Sequence, residues 1–233
     1  MDIKVIGTWS AKIEKNRKNT SFLIDDHILL DCGPHTAESI IDNGIKLEKI
    51  DLVLITHMHL DHFSGLPDLL WQRALRNIDG DITIMGPRNI EKSVFTLLDI
   101  FNSPDDFKKH FFFTDNYENI ETGNGIHTVE DITYRIKSDK ILFYSGDTSY
   151  SEDVITSGHD SDIFIHEATF PSRLSSEAPK FGHSSVKDAI NAFKKSESRI
   201  FMPTHLSEFS YRELIKNNNV NMIIPEENSL YRI

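Results

Sequence analysis

The run Thr56-His57-Met58-His59-Leu60-Asp61-His62, entered from the apolar stretch Leu52-Val53-Leu54-Ile55, sets the tightest limit on how this chain can fold. Three imidazoles and a carboxylate are costly to bury at a strand end unless each finds a partner. Nitrogen and oxygen donors packed this closely point to divalent metal. An extended strand alternates its side chains, so His57 and His59 face one way, and a following turn swings Asp61 and His62 to a neighbouring position. One strand end could therefore feed two ions.

With 233 residues, 39% of them hydrophobic, the chain can bury a full core, and a single domain over 1–233 is expected. The net charge of -11 and the absence of a long basic stripe argue against unspecific polyanion binding, and no stable DNA partner is expected. No stretch has signal-peptide or membrane-spanning length, so a cytoplasmic protein without a membrane partner is the default expectation. Cys32 is the only cysteine, which rules out an intrachain disulfide and a thiolate-rich zinc site. A small buried filler is its simplest role.

The opening reads as strands at Ile3–Gly7, Ser21–Asp25 and His27–Asp31, with a polar loop over Lys12–Asn19. Helices are expected at Thr36–Asn43, Leu66–Leu75, Asn89–Phe101, Ser184–Phe193 and Ser210–Asn217. Further strands are expected at Leu52–Thr56, Ile82–Met85, Phe111–Phe113, Ile120–Val129, Thr133–Ile136, Lys140–Tyr144, Asp162–His166, Arg199–Met202, Val220–Ile224 and Ser229–Ile233. Strands with helices in both halves suggest an α/β sandwich, two packed sheets with helices outside. A doubly wound dinucleotide fold lacks its glycine-rich turn after Gly7-Thr8-Trp9-Ser10.

Three later residues stand where an apolar strand would release the chain to a cleft: His127, Asp147 and His205. With the first cluster they make five histidines and two aspartates. Imidazole and carboxylate suit Zn2+ first and Mn2+ second, and Asp147 is the best candidate for a carboxylate between two ions. Taken alone, Asp147 and His205 could each be turn or capping residues, His127 a strand-edge histidine and His183 a helix-entry residue.

The constellation resembles the metallo-β-lactamase superfamily, whose His-x-His-x-Asp-His motif stands here as His57 to His62. The resemblance implies a four-layer αβ/βα sandwich of two mixed sheets. It also implies His57, His59 and His127 on one metal, Asp61, His62 and His205 on the other, and Asp147 between them. Within the superfamily the chain resembles the ribonuclease Z group and its phosphodiesterase relatives, through Tyr134-Arg135-Ile136, Ser145-Gly146-Asp147-Thr148, His166-Glu167-Ala168-Thr169-Phe170, Gly182-His183-Ser184-Ser185 and Thr204-His205-Leu206-Ser207. That likeness implies that His183 lies beside the metal pair and assists phosphodiester cleavage; on chemical grounds Glu167 could orient it and Asp61 could also hold the attacking water. A homodimer is what the resemblance allows.

Two departures stand out. Ribonuclease Z enzymes commonly carry a long arm that grips tRNA between the segments matching Ile136 and Ile141, whereas only Lys137-Ser138-Asp139-Lys140 joins them here. Trp9 replaces a small residue and either narrows a pocket mouth, stacks a base, or packs on the sheet edge. The leading expectation is a dinuclear metal-dependent phosphodiesterase for a small, cyclic or linear, phosphodiester or a short RNA end. The alternatives are tRNA 3′ processing, lactam, lactone or thioester hydrolysis, and a non-enzymatic metal-stabilised module.

Overall fold

The computed structural model describes residues 1–217 and 220–233. Twelve strands form two sheets among these residues. They are β1 (Asp2–Gly7), β2 (Ser21–Ile24), β3 (Ile28–Leu30), β4 (Leu52–Leu54), β5 (Ile82–Met85), β6 (Phe111–Phe113), β7 (Ile120–Asn124), β8 (Ile132–Lys137), β9 (Ile141–Tyr144), β10 (Ile163–Glu167), β11 (Ile200–Thr204) and β12 (Leu230–Arg232). The first sheet runs β12-β1-β2-β3-β4-β5-β6 and the second β11-β10-β9-β8-β7. Each is mixed: β3 to β6 and β9 to β11 are parallel, and the remaining neighbours antiparallel.

The two-residue period of a strand sorts side chains between layers. Leu52 and Leu54 of β4 face the inter-sheet core, as do Leu142 and Tyr144 of β9 and Ile163 and Ile165 of β10. Val53 points instead into the outer core under α1 (Thr36–Asp42), α3 (Leu66–Leu75) and α4 (Ile90–Ile100). Phe143 and Phe164 point to the other outer core, under α5 (Glu152–Ser157), α6 (Val186–Lys195) and α7 (Glu208–Leu214). Helix, sheet, sheet and helix make the four layers of the metallo-β-lactamase sandwich.

Helix α6 begins with a capping box, in which the Ser185 side chain accepts from the Asp188 N–H and Asp188 accepts from the Ser185 backbone. Such a cap contributes about 1 kcal/mol. Val186, Ala189 and Phe193 then bury one face. Because β10 and β11 are parallel, α6 is the crossover between them, and the loop before it lies at the open end of the sheet.

Several boundaries differ from the pattern-based expectations. The strand expected over Ile120–Val129 stops at Asn124; Gly125 N–H still meets the Asp131 carbonyl opposite it, but Ile126 N–H leaves the sheet for Thr148 Oγ1 at 2.8 Å. Val220–Ile224 is reduced to one bridge, between Met222 and Phe201. Helix α5 went unforeseen because it buries only Val154 and Ile155, and α7 begins two residues before Ser210. Trp9 is 2% exposed, beneath the Arg17 guanidinium at 4.5 Å and beside Tyr211 at 5.8 Å, so it packs rather than lining a pocket mouth.

Candidate metal centre

Strand β4 ends at Leu54, and the chain stays extended through Met58 before turning into α2 (Leu60–Phe63). That path places His57 Nε2 3.1 Å from His59 Nδ1, and the turn of α2 carries Asp61 and His62 round the corner. His127 arrives from the loop after β7, with its Nε2 also 3.1 Å from His59 Nδ1. Asp147 follows β9 and His205 follows β11. His205 Nε2 lies 3.1 Å from Asp61 Oδ2, which in turn is 3.4 Å from His62 Nε2.

The seven side chains thus meet as two groups of three with Asp147 between. Asp147 Oδ2 is 3.3 Å from His205 Nε2, 3.5 Å from His62 Nε2, 3.7 Å from His57 Nε2 and 4.0 Å from His127 Nε2. Four imidazoles turn Nδ1 outward: His57 to Thr56 Oγ1 at 3.0 Å, His62 to Asp31 Oδ2 at 2.7 Å, His127 to the Gly182 carbonyl at 2.7 Å and His205 to Thr169 Oγ1 at 2.8 Å. A neutral imidazole donates from one nitrogen only, so their Nε2 lone pairs point inward at one another.

Such an arrangement is repulsive unless a cation stands between, and it fits one. Donors bound to zinc at 2.0–2.2 Å sit about 3.3 Å apart, close to the spacings here. His62 Nε2 and Asp147 Oδ1 are buried without a hydrogen-bond partner among the described residues. Burial holds His57, His59 and His127 below the ordinary imidazole range, toward the neutral form that offers a lone pair. Burial acts the same way on His62, but Asp147 and Asp31 outweigh it and raise His62 well above that range. The site favours a positive charge there, which a cation supplies as well as a proton. Burial would raise Asp61 and Asp147, yet their histidine neighbours bring both below the usual carboxylate range.

Supports behind these residues went unassigned at the sequence level. Asp31 accepts from Thr56 N–H at 2.8 Å, the Tyr144 hydroxyl at 2.6 Å and His62. Asp131 accepts the Asp147 N–H at 3.2 Å, and its Oδ2 stands 3.0 Å from His57 Nδ1. For Asp31 the only signal was its place at the end of the expected strand His27–Asp31. Asp131, in a loop with no pattern, gave none.

His183 lies beside the pair of clusters, with Nδ1 2.8 Å from Glu167 Oε1 and 3.9 Å from Asp147 Oδ2. Burial lowers its pKa, but the Glu167 carboxylate prevails and pushes it up to about 9. Glu167 is fully buried and receives Thr148 N–H on Oε1 and the Thr169 hydroxyl on Oε2. His166 faces away, stacked on Phe164. His27, His35, His110 and His159 stand well apart on the surface, each beside an acidic side chain.

Residues 1–223 match the protein family described as Anti-Pycsar protein Apyc1. The chain belongs to that family. Among curated relatives, Ribonuclease Z of Bacillus velezensis is 25% identical, with 89% of this chain and 88% of the relative covered. Among solved structures, the short form of human tRNase Z superposes with a TM-score of 0.84 at 21% identity, covering 100% of this chain and 99% of that one. The metallo-β-lactamase fold protein YhfI from Bacillus subtilis gives 0.81 at 20% identity, covering 99% of each. This member of the Apyc1 family is therefore a metallo-β-lactamase-superfamily protein of the ribonuclease Z-like group, and a metal-dependent hydrolase.

Proposed function

We propose that the protein is a dinuclear phosphodiesterase that hydrolyses a small, cyclic phosphodiester. The observation that carries this reading is the pairing of His183 with buried Glu167 beside the two donor groups. His57, His59 and His127 would hold one ion, Asp61, His62 and His205 the other, and Asp147 both, with Zn2+ the first choice and Mn2+ the second. When bound, two such ions neutralise phosphodiester charge and make water a nucleophile at neutral pH. Asp61 orients that water. His183, kept protonated by Glu167, donates to the leaving oxygen.

Two features favour a small substrate. The connection from β8 to β9 is a tight hairpin, with Lys137 paired to Ile141, and it offers nothing with which to grip a tRNA body. Phe181 is 56% exposed and stacks on Phe170, itself 6.0 Å from His183, so a flat apolar face stands at the mouth for a base. No helix among the described residues is long and apolar enough to cross a membrane, and the reading places the enzyme in the cytoplasm.

Processing of tRNA 3′ ends is the second reading, favoured by the even coverage of the Ribonuclease Z relatives. The aligned span with the Bacillus velezensis protein is 271 residues, longer than this whole chain of 233, so that relative carries segments missing here. Rates on bis-p-nitrophenyl phosphate, cyclic nucleotides, cyclic ribose phosphates, precursor tRNA and a lactam, each with Zn2+ or Mn2+, separate the readings. A cyclic phosphodiester is expected to be turned over fastest. Faster cleavage of precursor tRNA would establish the second reading, and no bound metal with no rate on any substrate would remove both.

A further inference from the structure

Thr169 lies two residues past the end of β10, and its hydroxyl oxygen has three polar neighbours: Glu167 Oε2 at 2.7 Å, His205 Nδ1 at 2.8 Å and the His205 carbonyl at 3.0 Å. A hydroxyl has a single proton to give. The carboxylate is the nearest acceptor and the charged one, so the proton goes to Glu167. The oxygen lone pairs then face His205, and Nδ1 must bring the hydrogen. That assignment leaves His205 Nε2 bare, 3.1 Å from Asp61 Oδ2 and 3.3 Å from Asp147 Oδ2.

The other Glu167 oxygen meets His183 Nδ1 at 2.8 Å and Thr148 N–H at 2.9 Å. An unbroken chain of hydrogen bonds therefore runs from His205 through Thr169 and Glu167 to His183. The Thr169 N–H also reaches Glu167 Oε2 at 3.2 Å, so this residue supplies that oxygen with two donors. Behind it, Ser207 Oγ donates to the Thr169 carbonyl at 2.7 Å, tying the segment to the start of α7. Parallel pairing of Glu167 with Thr204 sets the register that makes these contacts meet.

We infer that Thr169 is a positioning residue that couples the two halves of the chemistry, fixing the His205 tautomer toward a cation and the Glu167 carboxylate toward His183. The inference rests on the dinuclear reading above. Its hydroxyl, not its bulk, carries the role: valine has the same shape without the hydroxyl, and serine restores the hydroxyl without the methyl.

Three measurements on the full-length protein test it. In the unmodified protein freed of metal, imidazole 15N shifts are expected to show the His205 proton on Nδ1; a proton on Nε2 overturns the assignment. Competition with a chromogenic chelator is expected to show one of two Zn2+ ions bound about 10- to 100-fold more weakly in Thr169→Val, with Thr169→Ser close to the unmodified protein. Equal zinc affinity in all three, or a serine variant as weak as the valine one, overturns it. Finally, Thr169→Val is expected to slow turnover of a cyclic nucleotide, whose alkoxide leaving group needs a proton, less in a His183→Ala background than alone, while weakening zinc equally in both. Full additivity in rate overturns the link to His183. Absence of zinc from the unmodified protein would instead count against the dinuclear reading, so the two failures are distinguishable.

Discussion

The two donor groups differ in kind. His57, His59 and His127 offer three nitrogens, and His59 is only half-buried, whereas the His127 side chain is 1% exposed. Asp61, His62 and His205 are all buried and include a carboxylate, with Asp31 pressed against His62 from behind. Charge and burial therefore favour the second group as the stronger cation holder, because Coulomb attraction grows as solvent is excluded. The first group is the more open one, through His59. One motif of six residues feeds both, and each half has a buried carboxylate behind it, yet the carboxylate within the second group makes the halves unequal.

The largest effect is expected where the difference is bridged. Asp147 Oδ2 lies within 4.0 Å of donors in both groups, so Asp147→Ala should weaken both ions by more than the roughly 10- to 100-fold that loss of an outer support costs, and abolish turnover. Metal content by mass spectrometry after dialysis checks this, and two retained ions would reject the bridge. His183→Ala comes next. It should leave both ions in place while lowering kcat on cyclic phosphodiesters by about 100- to 10 000-fold, the range of a general acid. An unchanged kcat rejects that role, and loss of metal would make His183 a ligand.

Which residues meet was largely legible in the sequence, because strand ends release polar side chains at one edge of a sandwich and the spacing of His57 to His62 admits few other uses. How they are held was not. Asp31 was visible only as the last residue of the expected strand His27–Asp31, whereas its backbone is left-handed and its side chain turns in to Thr56 and His62. Asp131 reaches Asp147 and His57 across the sequence through sheet register, and no local pattern encodes that. Helix α5 failed for a related reason: six residues with two buried side chains carry too little periodicity to stand out. His127 was placed on a strand that ends three residues earlier, because the Ile126 N–H leaves the ladder for the distant Thr148 hydroxyl, a contact no local pattern encodes.

The inequality of the two groups can be broken by titration with a chelator. Removal is expected in two steps, with the first ion leaving His57, His59 and His127 at roughly 10-fold lower chelator concentration than the second, a gap of about 1.4 kcal/mol. Substitution decides the assignment. His127→Ala should erase the first step and spare the second, whereas His205→Ala should do the reverse. A single step for both ions would mean that Asp147 makes the halves one unit, and the contrast drawn from burial would fail.

The smallest expected effect is a displaced pH limb. Glu167 raises the His183 pKa to about 9, above its ordinary value near 6.5, so the protonated form is fully present at neutral pH and is lost as pH rises through about 9. Turnover of a substrate with a poor leaving group should fall along that limb, and p-nitrophenolate, which leaves without a proton, should show little of it. Glu167→Gln keeps an acceptor for Nδ1 but removes the charge, leaving burial as the largest influence, and burial lowers an imidazole. The limb should then move below 9, toward and past the ordinary imidazole value. Bound cations shift His183 in the same sense in both proteins, so the displacement between the two profiles isolates Glu167. Coincident profiles would mean that Glu167 only places the ring and does not tune it.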